Sequence, residues 1–274
     1  MSESKKSYDD LSQIALKIRK ESIEMIHEAA SGHPGGALSI ADILTVLYFK
    51  EMNVDPKNPK KEDRDRFVLS KGHASAAYYA TLAEKGYFPT EELIEFRKLT
   101  SRLQGHPDMR YIPGVDMSTG SLGQGLSAAN GMAIAGKLDN KKYRVYCVLG
   151  DGEIQEGQVW EAAMTSSKYN LDNLCVIVDN NNLQIDGTVE EVMSPYPIDE
   201  KFESFGFNVI NIDGHDFEQI IDAFEKAKKL KGKPTAIIAK TIKGKGVSFM
   251  ENVVGWHGKA PNDEQFVQAI KDLT

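Results

Sequence analysis

Asp151 stands in a Gly-Asp-Gly turn at 150–152, and Asn181 follows it by 30 positions within the run Asp179-Asn180-Asn181-Asn182. One carboxylate, one amide oxygen and a backbone carbonyl are hard oxygen donors. They suit magnesium, which takes few ligands from protein and completes near-octahedral geometry with water and phosphate oxygens. The flanking Gly150 and Gly152 let backbone approach a ligand without Cβ obstruction. An isolated Gly-Asp-Gly is an ordinary turn; the Asn cluster at this spacing turns the pair into a candidate site for magnesium and a diphosphate.

These donors need elements that bring them together. Val145 to Leu149 is an apolar run of strand length, Glu156 to Lys168 has helical composition, and Leu174 to Val178 is a second buried-type strand. Joined as a right-handed parallel crossover, they deliver Asp151 and the Asn cluster to the carboxyl edge of a sheet. Open α/β sheets bind ligands at that edge.

Upstream, Leu11, Ile14, Ala15, Ile18, Ser22, Met25, Ile26 and Ala29 recur at helical spacing. A breaker-rich turn follows at 31–36, then a helix from Ser39 to Phe49 with Ser39 as N-cap. Further helices are expected over Ala74–Lys85 and Leu122–Leu138, with strands near Phe67, Val145, Leu174, Val209 and Thr235. Alternation of strands and helices predicts an α/β fold, a doubly wound parallel sheet flanked by helices. No repeat, low-complexity tract or linker divides residues 1–274, so one domain is expected.

Four of the six histidines, His33, His73, His106 and His257, sit in loops flanked by Gly or Pro, where sites on a rigid scaffold are assembled. His27, inside the first helix, and His215, in DGHD, read as structural. No HExxH pattern or Cys partner accompanies them, which disfavours zinc. Gly120-Ser121-Leu122-Gly123-Gln124-Gly125 precedes a helix and could present backbone N–H groups to an anion or serve close helix packing. It is not a GxGxxG after a strand, so a nicotinamide site is not indicated. Glu156 suits the start of a helix, and Lys243, among glycines, reads as exposed.

Taken together, GDG with the downstream Asn pair, SGHPGG, SKGHAS, QGHPDM, TGSLGQG, KTIKGKGV and WHGK stand in the order found in transketolases, and the whole chain resembles the N-terminal domain of that thiamine diphosphate-dependent family. The resemblance implies the diphosphate-binding domain of the thiamine diphosphate fold. It implies cofactor contacts at His73, Gly120, Ser121, Leu122, Asp151, Gly152, Glu156, Asn181, Lys243 and His257. Magnesium, for which calcium or manganese can substitute, would be held by Asp151, Asn181 and the Leu183 carbonyl. His33, His106 and His257 would surround the reacting carbons of a ketose donor, and Glu156 would help link two active sites across a dimer interface. Gly36 departs from relatives that carry a hydroxyl residue near the cofactor. The pyrimidine-binding and C-terminal domains are not represented, so the resemblance points to the N-terminal subunit of a split transketolase. Such a subunit would move a two-carbon ketol unit from a ketose phosphate to an aldose phosphate only with a C-terminal partner subunit, in an α2β2 assembly.

Three alternatives stand beside this reading: a split transketolase for an unusual sugar, a 2-oxo acid dehydrogenase α-type subunit, and a noncatalytic homologue. Composition narrows the classes further. A net charge of −7 disfavours nucleic-acid binding, which calls for a basic surface; the Lys226–Lys233 cluster reads as a solvated helix end. No apolar run approaches the roughly 18 residues of a membrane span, and the polar N-terminus lacks a signal-type apolar core; a cytoplasmic protein is expected. Cys147 and Cys175 each fall inside a buried strand, where reduced thiols behave as small hydrophobes.

Overall fold

The computed structural model describes residues 8–274; the polar opening of the chain, residues 1–7, lies outside them. Helix α1 (Tyr8–Glu28) buries Leu11, Ala15, Ile18, Ser22, Met25 and Ile26, the stripe that its periodicity marks. The chain then turns at His33 into α2 (Pro34–Ser39) and α3 (Ala41–Val46), which runs on into a wider turn at Leu47–Glu51. The expected start at Ser39 is thus corrected to Pro34. Proline suits the first helical position, where its missing N–H is no loss and its fixed φ matches the helix. Ser39 caps nothing; its hydroxyl donates to Asp179 Oδ2 at 2.8 Å.

Strand β1 (Arg66–Leu69) leads through a single turn at Gly72–Ala74 into α4 (Ser75–Lys85). Next come α5 (Gly125–Leu138), β2 (Val145–Gly150), α6 (Gly157–Lys168) and β3 (Leu174–Asn180). A small hairpin of β4 (Leu183–Gln184) and β5 (Gly187–Thr188) precedes α7 (Val189–Met193) and α8 (Ile198–Ser204). The chain closes with β6 (Asn208–Asp213), α9 (Phe217–Lys229), β7 (Thr235–Lys240) and α10 (Asp263–Asp272). Helix α5 begins at Gly125 rather than Leu122. Gly120 and Gly123 adopt φ of +150° and +83°, left-handed backbone that a helix cannot include.

The main sheet has five parallel strands in the order β1-β2-β3-β7-β6, one at each expected position. Alternate residues face opposite layers. Phe67, Leu69, Tyr146, Val148, Cys175, Ile177, Ile237 and Ala239 pack with residues of α1, α3, α4 and α9. Val68, Val145, Cys147, Leu149, Val176, Val178 and Ile238 pack with α5, α6 and α8. With both faces covered, β2, β3 and β7 read as largely apolar runs, whereas edge strand β6 (NVINID) is only partly buried. The two cysteines are buried, unpaired and in different layers. From β2 the crossover through α6 advances to β3, whereas from edge strand β6 the crossover through α9 returns to β7. The winding therefore reverses between β3 and β7, and a crevice opens at their carboxyl ends.

Close packing of α5 on β1 depends on Gly125, where a Cβ would lie 2.4 Å from Ser70 Oγ and 2.8 Å from Ser70 Cα. Gly125→Ala should destabilise the chain by roughly 1–3 kcal/mol, the usual cost of overpacking. A urea unfolding midpoint equal to wild type would contradict this packing.

Candidate active site

The carboxyl ends of β2, β3 and β7 meet the α2 turn and the His257 loop around a cavity of about 350 Å³. At its base lies Asp179, fully buried in β3. Lys71 Nζ donates to its Oδ2 at 2.5 Å, Ser39 at 2.8 Å and Asn181 Nδ2 at 2.9 Å, and Thr241 donates to Oδ1. Burial opposes ionisation of this carboxyl, but Lys71 and the hydroxyl donors more than offset it and hold the carboxyl below its usual range. A buried charge is tolerated when it is paired and fully hydrogen-bonded.

Asp151 follows β2 and is almost fully buried. Gly152 N donates to its Oδ1 at 2.8 Å and Asn182 N to its Oδ2. Burial and the neighbouring Asp179 push its carboxyl up to about 7 despite those bonds, as expected of a carboxylate short of positive charge. Asn181 accepts from Leu183 N at 3.1 Å, while the Leu183 carbonyl accepts from Lys243 Nζ at 2.8 Å. All three oxygen groups line the same cavity. Each retains lone-pair capacity, so the donor set fits a magnesium-like cation that draws its remaining ligands from a diphosphate and water.

Lys243 is where reading a lysine among glycines as exposed fails. It is only 2% exposed, its stem running against Gly35, where a Cβ would come within 2.9 Å of Lys243 Cγ. Burial and Lys71 draw its ammonium down to about 8. Besides Leu183 it donates to His257 Nδ1 at 2.8 Å, which leaves the His257 ring proton on Nε2.

Three of the four loop histidines converge. The rings of His33, His73 and His257 stand 5.1–5.6 Å apart, centre to centre. Burial, then Arg97, lowers His33 to about 4, and burial, then Lys243, lowers His257 to about 3. Burial and Lys71 depress His73 strongly. All three are neutral at physiological pH, each with one donor and one acceptor nitrogen. His106 stands apart. It is exposed and lies in an outer recess with Thr119 and Ser121, although its ring approaches Gly120, where a Cβ would sit 3.1 Å from its Cγ. Gly120, Leu122, Gly152 and Glu156 border the main cavity and Ser121 only the outer recess. Glu156 is the exposed N-cap residue of α6 with no side-chain capping bond. Gly36 opens the cavity beside His73 and Lys71: a Cβ there would lie 3.3 Å from both His73 Nε2 and Lys71 Nζ.

Residue-type reasoning missed Lys71, Asp179, Glu153 and Arg97. Glu153 accepts from Ser70 and from the N–H groups of Gly123 and Gly150, both at 3.0 Å, tying the Gly-rich loop to the acidic turn. Arg97, with φ of +62°, turns its guanidinium inward, donates to Ser31 at 2.9 Å and stands 3.5 Å from His33 Nδ1. Signals existed for three of them: Lys71 lies within SKGHAS, Glu153 directly follows GDG, and Asp179 heads the Asn run.

Residues 11–273 match a family model described as the transketolase thiamine diphosphate binding domain. The chain is 46% identical to a 6-deoxy-6-sulfo-D-fructose transketolase subunit of Clostridium sp. (strain MSTE9), covering 96% of each. It is 44% identical to an apulose-4-phosphate transketolase subunit of Phocaeicola vulgatus, covering 94% of this chain and 92% of that one. Among solved structures, a transketolase from Campylobacter jejuni superposes with a TM-score of 0.92 at 38% identity; the match covers 98% of this chain but 43% of that one.

The depressed histidines make a signed prediction about acid. Unfolded imidazoles titrate near 6.5, so below about pH 6.5 the unfolded chain takes up protons that folded His33 and His257 refuse until about 4 and 3. Their contribution to folding stability is therefore lost as pH falls through that window. In urea unfolding at about pH 7 and pH 5, a His33→Asn/His257→Asn double variant should lose less stability on acidification than wild type. Identical losses would mean the rings are not held neutral.

Proposed function

Because the chain belongs to the transketolase family, whose thiamine diphosphate binding domain it carries at residues 11–273, we propose that it is the N-terminal subunit of a split transketolase. The observation that carries this reading is the convergence of Asp151, Asn181, the Leu183 carbonyl, Lys243 and three neutral histidines on one cavity at the winding reversal.

Asp151, Asn181 and the Leu183 carbonyl would hold the divalent cation, with magnesium the best match to oxygen-only donors. Lys243, His73 and His257 would face the diphosphate, and Gly120, Ser121, Leu122, Gly152 and Glu156 would form the wall along which the cofactor lies. Thiamine diphosphate supplies a thiazolium carbon that takes up and releases a two-carbon ketol unit. The protein's own task is to orient the ketose and move protons. His257, its Nδ1 occupied by Lys243, offers an Nε2–H donor to a donor-sugar oxygen. His33, being neutral, would offer a ring nitrogen as hydrogen-bond acceptor to a donor-sugar hydroxyl, and His106 on the rim can meet the sugar as it enters.

The 2-oxo acid dehydrogenase reading yields to the family match. Two relatives named as subunits align with this chain over nearly their whole lengths, which supports dependence on a second chain carrying the pyrimidine-binding and C-terminal domains, in an α2β2 assembly. A second reading keeps the chemistry and changes the sugar. It is favoured by the names of those relatives, which specify 6-deoxy-6-sulfo-D-fructose and apulose 4-phosphate.

Calorimetric titration of the assembled enzyme with thiamine diphosphate and magnesium should give binding that Asp151→Ala abolishes; wild-type affinity in the variant sinks the metal assignment. In a coupled assay with xylulose 5-phosphate and ribose 5-phosphate, the single chain should be inactive and turnover should saturate near one partner per chain. Robust turnover by this chain alone removes the split-site reading. Activity of the assembled pair confined to a sulfonated or branched ketose selects the second reading.

A further inference from the structure

The motif DGHD at 213–216 reads as a turn, and three of its residues serve one. Asp213 accepts from His215 N at 2.9 Å, and Asp216 caps α9 by accepting from Glu218 N and Gln219 N. Gly214 lets the turn lie against the segment leaving β7, since a Cβ there would meet Thr241 Cγ2 at 2.5 Å. The imidazole of His215 does something a turn does not require. Its side chain is 12% exposed and both of its nitrogens are engaged. Nδ1 lies 2.7 Å from Asp42 Oδ2, while Nε2 accepts from the N–H of Ile242 at 2.9 Å. An N–H on Ile242 can only be received by an unprotonated nitrogen, so the ring proton is on Nδ1 and is donated to Asp42. Asp42 is itself anchored to Arg19 by two bonds of 2.9 and 2.5 Å.

Ile242 lies between two residues of the cavity. Thr241 donates to Asp179, and Lys243 donates to Leu183 and His257. We propose that His215 is a positioning residue for the cofactor site: its imidazole pins the Ile242 amide to the rigid Asp42–Arg19 pair and thereby presents Thr241 and Lys243 to the cavity. The inference rests on the reading of that cavity as the thiamine diphosphate site. A partner outside the direct contact shell commonly acts this way, fixing the orientation of groups that touch the ligand.

Two substitutions separate the two ring bonds. His215→Gln places an amide oxygen near the Nε2 position and keeps an acceptor for Ile242. His215→Asn places an amide N–H near the Nδ1 position and keeps the Asp42 contact but not the acceptor. In both variants Asp42 retains Arg19, so no buried carboxylate is stranded. Hydrogen exchange of the full chain, followed on peptides covering residues 241–246, should quicken in His215→Asn and stay near wild type in His215→Gln. In the assembled enzyme, His215→Asn should weaken thiamine diphosphate binding in magnesium by about 10-fold or more, the scale typical of lost orienting partners. His215→Gln should retain most of that affinity. Unchanged exchange in His215→Asn overturns the clamp, as do equal losses of affinity in the two variants. Failure of the wild-type assembly to bind thiamine diphosphate overturns the cofactor reading instead, and the exchange result still decides whether His215 holds the segment.

Discussion

The buried pair of Lys71 and Asp179 is the constraint around which the molecule is arranged. The two side chains are 2% and 0% exposed, and an ion pair so deep is sustained only when further hydrogen bonds compensate for lost water. Asp179 receives four side-chain donors, from Lys71, Ser39, Asn181 and Thr241. Those donors come from the end of β1, from α2, from the loop after β3 and from the exit of β7. One carboxylate thus joins the segments that the reversal of winding brings to a common edge, and the glycines at 35, 36 and 125 are the space that this convergence requires.

From that centre the electrostatics of the cavity follow. Lys71 is committed to Asp179, so Lys243 is the cavity lysine that can turn to an anionic ligand, and its buried ammonium helps hold His257 and His33 neutral. The same packing that excludes water raises Asp151 and lowers the imidazoles. The result is an unmet demand for positive charge beside Asp151 and uncharged imidazoles lining the same cavity. A divalent cation with a diphosphate would answer the first, and a polyhydroxylated sugar could use the second.

The fold was legible in the sequence because its signals are local. Short runs rich in apolar residues, separated by helical patterns, place the strands directly, even the half-polar edge strand β6, and short-range rules explain the two helix starts that differ: proline at the first helical position for α2, and left-handed glycines before α5. The Asp151–Asn181 pair was legible because both ends of one crossover carry recognisable donors. The rest of the site depends on long-range pairing. Lys71 and Asp179 are 108 positions apart, and nothing near either residue announces the other. Lys243 sits among glycines, which suggests a loop in water; the glycines instead let the loop pack inward. His215 reads as a turn residue because its partners, Asp42 and Ile242, are 173 and 27 positions away.

The seam between β3 and β7 also sets an order of assembly. Cys175 pairs with Thr235 across it, and the cavity draws on residues from His33 to His257. During synthesis from the N-terminus, β1, β2 and β3 can associate well before β6 and β7 have left the ribosome. Until then the carboxylate of Asp179 lacks Thr241, the Leu183 carbonyl lacks Lys243, and one layer of the sheet lacks α9. The pocket is therefore among the last parts of the nascent chain to exist, and a coenzyme can stabilise the finished fold by mass action but cannot template its early stages.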